Sequence, residues 1–321
     1  MDRRALIVGI DHYDNFSPLS GCVADADSML TVLARNEDGS VNFDCRKFTS
    51  SVTDRITRPF LRARWKELFG SFKGDAVFYF AGHGGPSQLG GFLVTQDGEE
   101  DDVGLPMNEI VQLANDSPTR SVLIVLDCCF SGAAGNSPSL QTAGLYQATL
   151  REGVTILAAS RPTQTAGEID GHGLFTDLVL GALRGGAADV RGRVSAAAIY
   201  GYVESAIGSW AQRPLYKSHA ARLDPIRLCL PKVPDTILRE LPHFFSTKDA
   251  QYRLDMSYEE TNGAAKAANV EVFKKFKTLQ LAGLLMPRYG SDLYWTAERS
   301  GSVELTALGQ FYWRLVDEDL I

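Results

Sequence analysis

Two reactive side chains in this sequence each follow a short apolar segment that ends in turn residues. His83 comes after the segment Asp75 to Phe80. Cys129 comes after the segment Ser121 to Leu126. A thiol becomes a nucleophile when a neighbouring base takes its proton, and an imidazole suits that task near neutral pH. If both segments are strands of one parallel sheet, their carboxyl ends meet at one edge, so the pattern predicts a Cys-His pair for covalent hydrolysis.

The residues beside these two side chains support this chemistry. Gly84 and Gly85 follow His83, and glycine lets a substrate backbone approach closely and leaves an unobstructed N–H group as an oxyanion donor. Cys128 could also be the nucleophile, but successive side chains of a strand point to opposite faces. Only one of the two can therefore face His83, and we interpret Cys128 as a small buried residue if Cys129 is the nucleophile.

The sequence lacks the motifs that other functions of these cysteines and histidines would require. A Cys-dependent phosphatase loop needs an arginine where this chain has Gly135, and no Gly-rich dinucleotide or phosphate loop follows Gly9. His172 lies in a Gly-His-Gly triplet that precedes a helix, so we expect it to have a structural or substrate-loop role. The remaining side chains are interpreted as core or surface residues: His12, His219, His243, Cys45 and Cys229.

The elements that must position the pair are indicated by hydrophobic patterning. Short apolar segments predict buried strands over Ala5 to Ile10, Asp75 to Phe80, Ser121 to Leu126 and Gly153 to Ala159, with a last strand at Pro225 to Leu230. Helical spacing predicts helices over Ala24 to Ala34, Phe60 to Phe72, Met107 to Leu113, Leu174 to Leu183 and Ala196 to Ile207. Alternating strands and helices predict an α/β domain with a mostly parallel, doubly wound sheet covered by helices on both faces.

Composition and charge exclude several classes of protein. The 321 residues are 45% hydrophobic and 22% charged, as in globular proteins. A net charge of -7 argues against sequence-independent binding to nucleic acid or anionic membranes. Five cysteines without Cys-x-x-Cys spacing argue against a disulfide framework or a zinc site. The first apolar run is too short for a signal peptide or a membrane span, so we expect a cytoplasmic protein.

The last third of the chain has a different organisation. Prolines interrupt it after the last predicted strand, so we predict a first domain over residues 1–232 and a connecting linker over 233–263. Residues 264–321 read as a long helix, a short strand at Tyr294-Trp295, a turn at Ser300 and a closing helix, which indicates a small winged-helix-like α+β domain. This domain has seven basic and seven acidic residues, and neutrality favours protein contacts over nucleic acid.

The motifs in their order resemble the caspase and metacaspase family of cysteine peptidases, and most of all its bacterial branch. The resemblance spans about residues 5 to 230, and it implies that the predicted α/β domain has the caspase-like fold. Its motifs are Ala5 to Ile10, Ser20-Gly21-Cys22 with Asp25-Ala26, the segments at His83 and Cys129, and Gly171 to Thr176. Caspases place the histidine about 50 residues before the cysteine, and here the separation is 46. The resemblance implies that Cys129 is the nucleophile, that His83 is the base, and that the N–H groups of Gly84 and Cys129 bind the oxyanion.

The resemblance also implies a specificity. Family members that cleave after Arg or Lys have an acidic pocket, and the matching residues are Cys22, Asp25 and Asp127. Members that cleave after Asp carry an arginine shortly before the matching glycine, where this chain has Leu19 and Ser20. We therefore expect protein substrates with Arg, or less often Lys, at the cleaved position. A serine usual in the pocket is replaced by Ala81, two residues before His83. Asp25 and Asp27 could instead favour the start of their own helix.

Many metacaspases bind calcium through four aspartates, and only one of the matching positions, Asp97, is still an aspartate. The others are Met107, Asn108 and Asn136, and the acidic residues 99–102 read as a solvated loop. Because hard cations need several fixed carboxylates, we expect no metal and no cofactor.

Together these observations predict a cytoplasmic cysteine endopeptidase, with a stress or antiviral defence role suggested by resemblance alone. Between 131 and 150 the chain has no charged residue, so we expect no self-cleavage there and control by another protease or by a regulatory protein on the C-terminal domain. Two alternatives stay open: a catalytically silent scaffold of the same fold, and a winged-helix DNA-binding regulator with a peptidase-like sensor domain.

Overall fold

The chain forms two compact units in a computed structural model. The model describes residues 2–50, 55–87, 90–100, 102–128, 150–159, 168–169, 172–207, 214–220, 224–288, 290 and 292–321. The first unit comprises Met1–Ala188 and Arg193–Cys229, and the second comprises Asp189–Gly192 and Leu230–Ile321.

The first unit alternates strands with helices. Its strands are β1 (Arg3–Gly9), β2 (Asp44–Thr49), β3 (Asp75–Ala81), β4 (Gly84–Ser87), β5 (Gly90–Glu99), β6 (Asp102–Pro106), β7 (Ser121–Asp127), β8 (Val154–Ala158), β9 (Glu168–Ile169), β10 (His172–Gly173), β11 (Arg193–Val194), β12 (Leu215–His219) and β13 (Arg227–Leu228). Its α-helices are α1 (Cys22–Ala34), α2 (Arg58–Phe69), α3 (Met107–Asp116), α4 (Leu174–Gly181) and α5 (Ala196–Ile207).

Six of these strands form the central sheet, in the order β12-β8-β7-β3-β1-β2. All neighbours are parallel except β12, which pairs antiparallel with β8 at the edge. All seven residues of β3 are buried, as expected for a strand covered on both faces. The mostly parallel doubly wound sheet predicted from the sequence is therefore confirmed.

Successive residues of the strands divide the core between the two faces of the sheet. On one face, Tyr79 packs with residues of α1, α4 and α5. On the other face, Phe78 and Phe80 pack with residues of α2 and α3. The predicted layers of helices on both faces are confirmed by these two clusters.

The prediction that Pro225 to Leu230 forms the last strand of the central sheet is wrong. Within Pro225 to Leu230 only the two residues of β13 are paired, and they pair with β11 outside the central sheet. The last strand of the central sheet is β12, whose sequence Leu-Tyr-Lys-Ser-His lacks a continuous apolar run. The edge position explains this, because an edge strand needs only one strand partner and tolerates polar residues.

A second, smaller sheet follows β3 directly. Strands β4, β5 and β6 form an antiparallel meander in which Gly84 lies opposite Leu93. The acidic residues 99–102 span its second turn, where residue 101 is outside the described residues. The meander starts immediately after His83 and so supports the residues around it.

The second unit is built around its own antiparallel sheet. Its elements are α6 (Asp235–Leu238), α7 (Leu241–Phe244), β14 (Gln251–Arg253), α8 (Ala267–Leu281), β15 (Leu285–Pro287), α9 (Leu293–Glu298), β16 (Ser302–Leu305) and α10 (Ala307–Asp317), with sheet order β14-β16-β15. The predicted linker 233–263 is wrong, because Leu241, Phe245 and Leu254 are buried in this unit's core. Pro234 and Pro242 lie at the starts of α6 and α7, where proline is favoured, and so do not mark a linker.

The predicted strand at Tyr294-Trp295 is also wrong. These residues lie in α9, where the Asp292 side chain caps the helix by accepting the N–H of Trp295 at 2.9 Å. The closing helix is present as α10. The winged-helix reading stays a prediction.

Candidate active site

The ends of β3 and β7 lie side by side at the carboxyl edge of the central sheet. Ala81 pairs with Asp127, and the N–H of Gly82 donates to the Asp127 carbonyl oxygen at 3.3 Å. His83 and Cys128 therefore follow directly from two adjacent, hydrogen-bonded strand ends. Cys129 lies outside the described residues.

His83 is held by the loop that follows β1. Its backbone N–H donates to the Tyr13 hydroxyl at 2.7 Å, and the two rings lie 4.7 Å apart between centroids. Its Nε2 atom lies 2.8 Å from the Ser17 carbonyl oxygen. Because a carbonyl can only accept, Nε2 carries the proton in this arrangement and Nδ1 is left as the basic nitrogen.

The meander fixes this loop in turn. The Asp14 N–H donates to the Gln96 carbonyl oxygen at 3.0 Å, and the Asn15 side-chain amide donates to the Gly98 carbonyl oxygen at 2.9 Å. Burial raises the pKa of Tyr13 above its ordinary range, so its hydroxyl stays neutral. Sequence reasoning missed Tyr13 and Ser17, and a backbone carbonyl leaves no signal in side-chain patterns.

Asp11, which no sequence pattern singled out, caps the start of helix α1 from the loop after β1. Its carboxylate accepts the N–H groups of Cys22 at 2.8 Å and Val23 at 3.2 Å, which is the capping role that carboxylates favour at a helix start. Asp25 lies in the first turn of α1, where a negative charge favours the helix start. Its side chain is buried.

Asp25 and Asp127 both face the start of helix α4. Asp25 Oδ2 accepts the N–H of Gly173 at 3.2 Å. Asp127 Oδ2 accepts the N–H of Thr176 at 3.2 Å and its hydroxyl at 2.6 Å. A Cβ atom at Gly173 would lie 2.7 Å from Asp127 Oδ2, so a larger residue there would displace that carboxylate. The two predicted pocket carboxylates are thus brought together from α1 and β7.

These carboxylates lie in a poorly solvated environment. Burial of the Asp127 carboxyl, opposed by its bonds from Thr176 and assisted by the charge of Asp25, raises its pKa to about 6. Burial and then the negative charges of Asp11, Asp127 and Asp25 raise the pKa of Cys22 far above its ordinary value. Cys22, half-buried beside the carboxylates, therefore stays a neutral thiol.

The first cysteine of the Cys-Cys pair, Cys128, packs in the layer on the opposite face of the sheet from Asp25. Cys128 is buried and packs in the apolar cluster with Phe80 and Leu126, on the face covered by α2 and α3. Cys229 is buried and Cys45 is half-buried, and both pack in the cluster on the other face. Of His172 only the backbone is described, paired with Ile169.

Two of the residues that match calcium positions, Asp97 and Met107, are engaged in the fold, and Asn136 lies outside the described residues. Asp97 accepts the Arg58 backbone N–H at 3.0 Å and forms an ion pair with the Arg58 guanidinium at 3.4 Å, while Met107 is fully buried. Across the described residues, no group of three or more His, Cys, Asp or Glu side chains could hold a metal ion. A search of the same residues finds no helix long and apolar enough to cross a membrane.

Comparisons with known proteins place this geometry in context. A family model described as the caspase domain matches residues 2–223. A crystal structure of caspase-1 from Spodoptera frugiperda is similar with a TM-score of 0.46 and 14% sequence identity, and the match covers 71% of this chain and 92% of that chain. None of the curated proteins compared with this chain matches it significantly.

Proposed function

Because this chain belongs to the caspase family, we propose that it is a cysteine endopeptidase that cleaves protein substrates after a basic residue, with arginine preferred over lysine. The observation that carries the proposal is the meeting of Asp25 and Asp127 at the start of α4. Asp127 ends the strand that leads to Cys129, and that strand is paired with the one that leads to His83.

In the proposed reaction His83 and Cys129 act as a catalytic dyad. Nδ1 of His83 takes the proton from the Cys129 thiol, and the thiolate attacks the carbonyl carbon of the scissile bond. The N–H groups of Gly84 and Cys129 stabilise the oxyanion. The intermediate collapses, the C–N bond breaks, and His83 returns the proton to the leaving amine. Water then attacks the acyl-enzyme, gives a proton to His83, and releases the acid product and the thiol.

The acidic pocket, which we define as Cys22, Asp25 and Asp127, supplies the specificity. An arginine guanidinium has a planar fork of donors that can bind two carboxylates at once, whereas a lysine ammonium is a single point charge. The neutral Cys22 thiol adds no charge. An aspartate at the cleaved position would meet two like charges in a site where water cannot screen them.

The proposal is tested with peptides that differ only at the cleaved position, which is Arg, Lys or Asp. We expect the Arg peptide to exceed the Asp peptide in kcat/KM by about a hundredfold or more. Asp25→Ala should lose activity mainly on the Arg peptide. An Arg-chloromethylketone should alkylate the parent protein at Cys129 and leave Cys129→Ala unmodified. Faster cleavage of the Asp peptide, or no labelling of Cys129, would reject the proposal.

Regulation by another protein is part of the same proposal. The neutral charge of residues 264–321 favours a protein partner over nucleic acid, and an upstream protease could cut the uncharged segment after Cys129. By family resemblance alone, we place the enzyme in a cytoplasmic stress or defence pathway.

A further inference from the structure

Two buried polar side chains, Tyr79 and Thr176, are linked in series to Asp127 of the acidic pocket. The Tyr79 hydroxyl lies 2.6 Å from Thr176 Oγ1, and Thr176 Oγ1 lies 2.6 Å from Asp127 Oδ2. Tyr79 and Thr176 are both 0% exposed. Thr176 is the last residue of the Gly-His-Gly-Leu-Phe-Thr motif and takes no direct part in the proposed reaction.

The direction of the hydrogen bonds follows from the chemistry of the three groups. An ionised carboxylate can only accept, so the Thr176 hydroxyl donates to Asp127. The Thr176 oxygen is then free to accept, and the Tyr79 hydroxyl donates to it. Asp127 also accepts the Thr176 backbone N–H at 3.2 Å. One residue of α4 thus gives the same carboxylate oxygen two donors.

These donors matter because the surroundings of Asp127 oppose its charge. The titratable groups that face it are Asp25 and Cys22 from α1 and Tyr79 from β3. Burial and the Asp25 charge raise the pKa of Asp127, and the bonds from Thr176 lower it. A protonated Asp127 could not form an ion pair with a guanidinium, so the donors help to keep the pocket acidic near neutral pH.

We propose that Thr176 is a specificity-determining positioning residue, which holds Asp127 ionised and aimed at the substrate arginine, and that Tyr79 holds the Thr176 hydroxyl in its donating orientation. The inference deepens the proposed function and rests on it. Thr176 touches Asp127 and acts on the substrate only through that carboxylate. The expected signature is therefore a change in KM and in its pH dependence, with little change in kcat.

The test compares Thr176→Val, which keeps the shape and removes the hydroxyl, with Thr176→Ser, which keeps the hydroxyl. A matched control is Thr155→Val, because Thr155 is also buried and its hydroxyl bonds Ser218 at 2.8 Å in the edge strand. For each protein, KM and kcat for an Arg peptide and inhibition by agmatine, a free guanidinium probe, are measured between about pH 5 and pH 8.

We expect Thr176→Val to raise the pH at which the Arg peptide and agmatine lose affinity by about one unit, so that KM rises by about twofold near pH 7 and by up to about tenfold near pH 5. Tyr79→Phe should shift the profile in the same direction by less. Thr176→Ser and Thr155→Val should have the same KM and the same pH profile as the parent protein. Unchanged thermal unfolding and unchanged Cys129 alkylation by iodoacetamide exclude a folding defect.

Two results would overturn the inference in distinguishable ways. If the parent cleaves Arg peptides and binds agmatine but Thr176→Val keeps the parent's pH profile, the inference is wrong and the proposed function stands. If the parent neither cleaves Arg peptides nor binds agmatine, the acidic pocket itself is wrong and the inference falls with it. An equal shift in Thr155→Val would show a general loss of stability and also reject the role of Thr176.

Discussion

The Nε2 atom of His83 lies 2.8 Å from the backbone carbonyl oxygen of Ser17, a residue 66 positions earlier in the chain. The bond fixes which ring nitrogen carries the proton and leaves Nδ1 to act as a base. The orientation of His83 therefore depends on the loop after β1, and that loop depends on its hydrogen bonds to β5.

The two adjacent cysteines should respond differently to substitution. We expect Cys129→Ala to abolish peptide hydrolysis, because no other side chain in the proposal can form the acyl-enzyme. Cys128→Ser should keep most activity and lower the free energy of unfolding by about 1–2 kcal/mol, since it buries a hydroxyl in an apolar cluster. Hydrolysis rates and thermal unfolding measure the two effects. Equal loss of activity from both changes would contradict the assignment of Cys129.

Tyr13→Phe should slow the reaction without weakening substrate binding. The change removes the acceptor for the His83 N–H and loosens the base, so we expect kcat to fall about tenfold to a hundredfold with KM nearly constant. The control is Tyr200→Phe, which removes an exposed hydroxyl bonded to Glu204. A steady-state comparison with an Arg peptide checks this, and parent-like kcat in Tyr13→Phe would argue against the positioning of His83 by Tyr13.

Binding of Arg substrates should weaken in acid. The pKa of Asp127 is raised from 3.8 to about 6 by burial, so the pocket loses a negative charge as the pH falls through about 6. A bound guanidinium favours the ionised carboxylate, and KM should therefore rise by up to about tenfold per pH unit below that point. A citrulline peptide, nearly identical in shape but uncharged, should lack this dependence. A KM for the Arg peptide that is constant down to about pH 5 would contradict the prediction.

The purified enzyme should remain one 35.0 kDa chain when incubated alone. The first basic residue after Cys129 is Arg151, and its guanidinium already donates to Ala114 O, Thr119 O and the Ser117 hydroxyl. It is therefore not free to enter an acidic pocket. Intact mass spectrometry over several hours, with Cys129→Ala as the control, measures this. Fragments ending between 131 and 151 in the parent alone would show that self-cleavage occurs.

Much of the first unit could be predicted from local patterns. A strand that is buried on both faces, such as β3 or β7, must be apolar throughout, and an amphipathic helix such as α2 shows its buried side at regular spacing. Motifs at the ends of these strands then indicated His83 and Cys129. Local patterning fails where burial is partial. The sequence Leu-Tyr-Lys-Ser-His of β12 has no continuous apolar run, because this strand lies at the edge of the sheet.

Sequence alone thus determined the parallel sheet, the two layers of helices and the strand ends that carry the reactive residues, because each of these depends on the burial pattern of one continuous segment. Tertiary structure decided which distant groups meet. Asp25 and Asp127 lie 102 positions apart and come together only where α4 begins. The Ser17 carbonyl reaches His83 from a loop that is hydrogen-bonded to β5. Such contacts depend on how separate elements pack. Some of them also use backbone atoms, which every residue has, so they cannot be predicted from the local spacing of side chains.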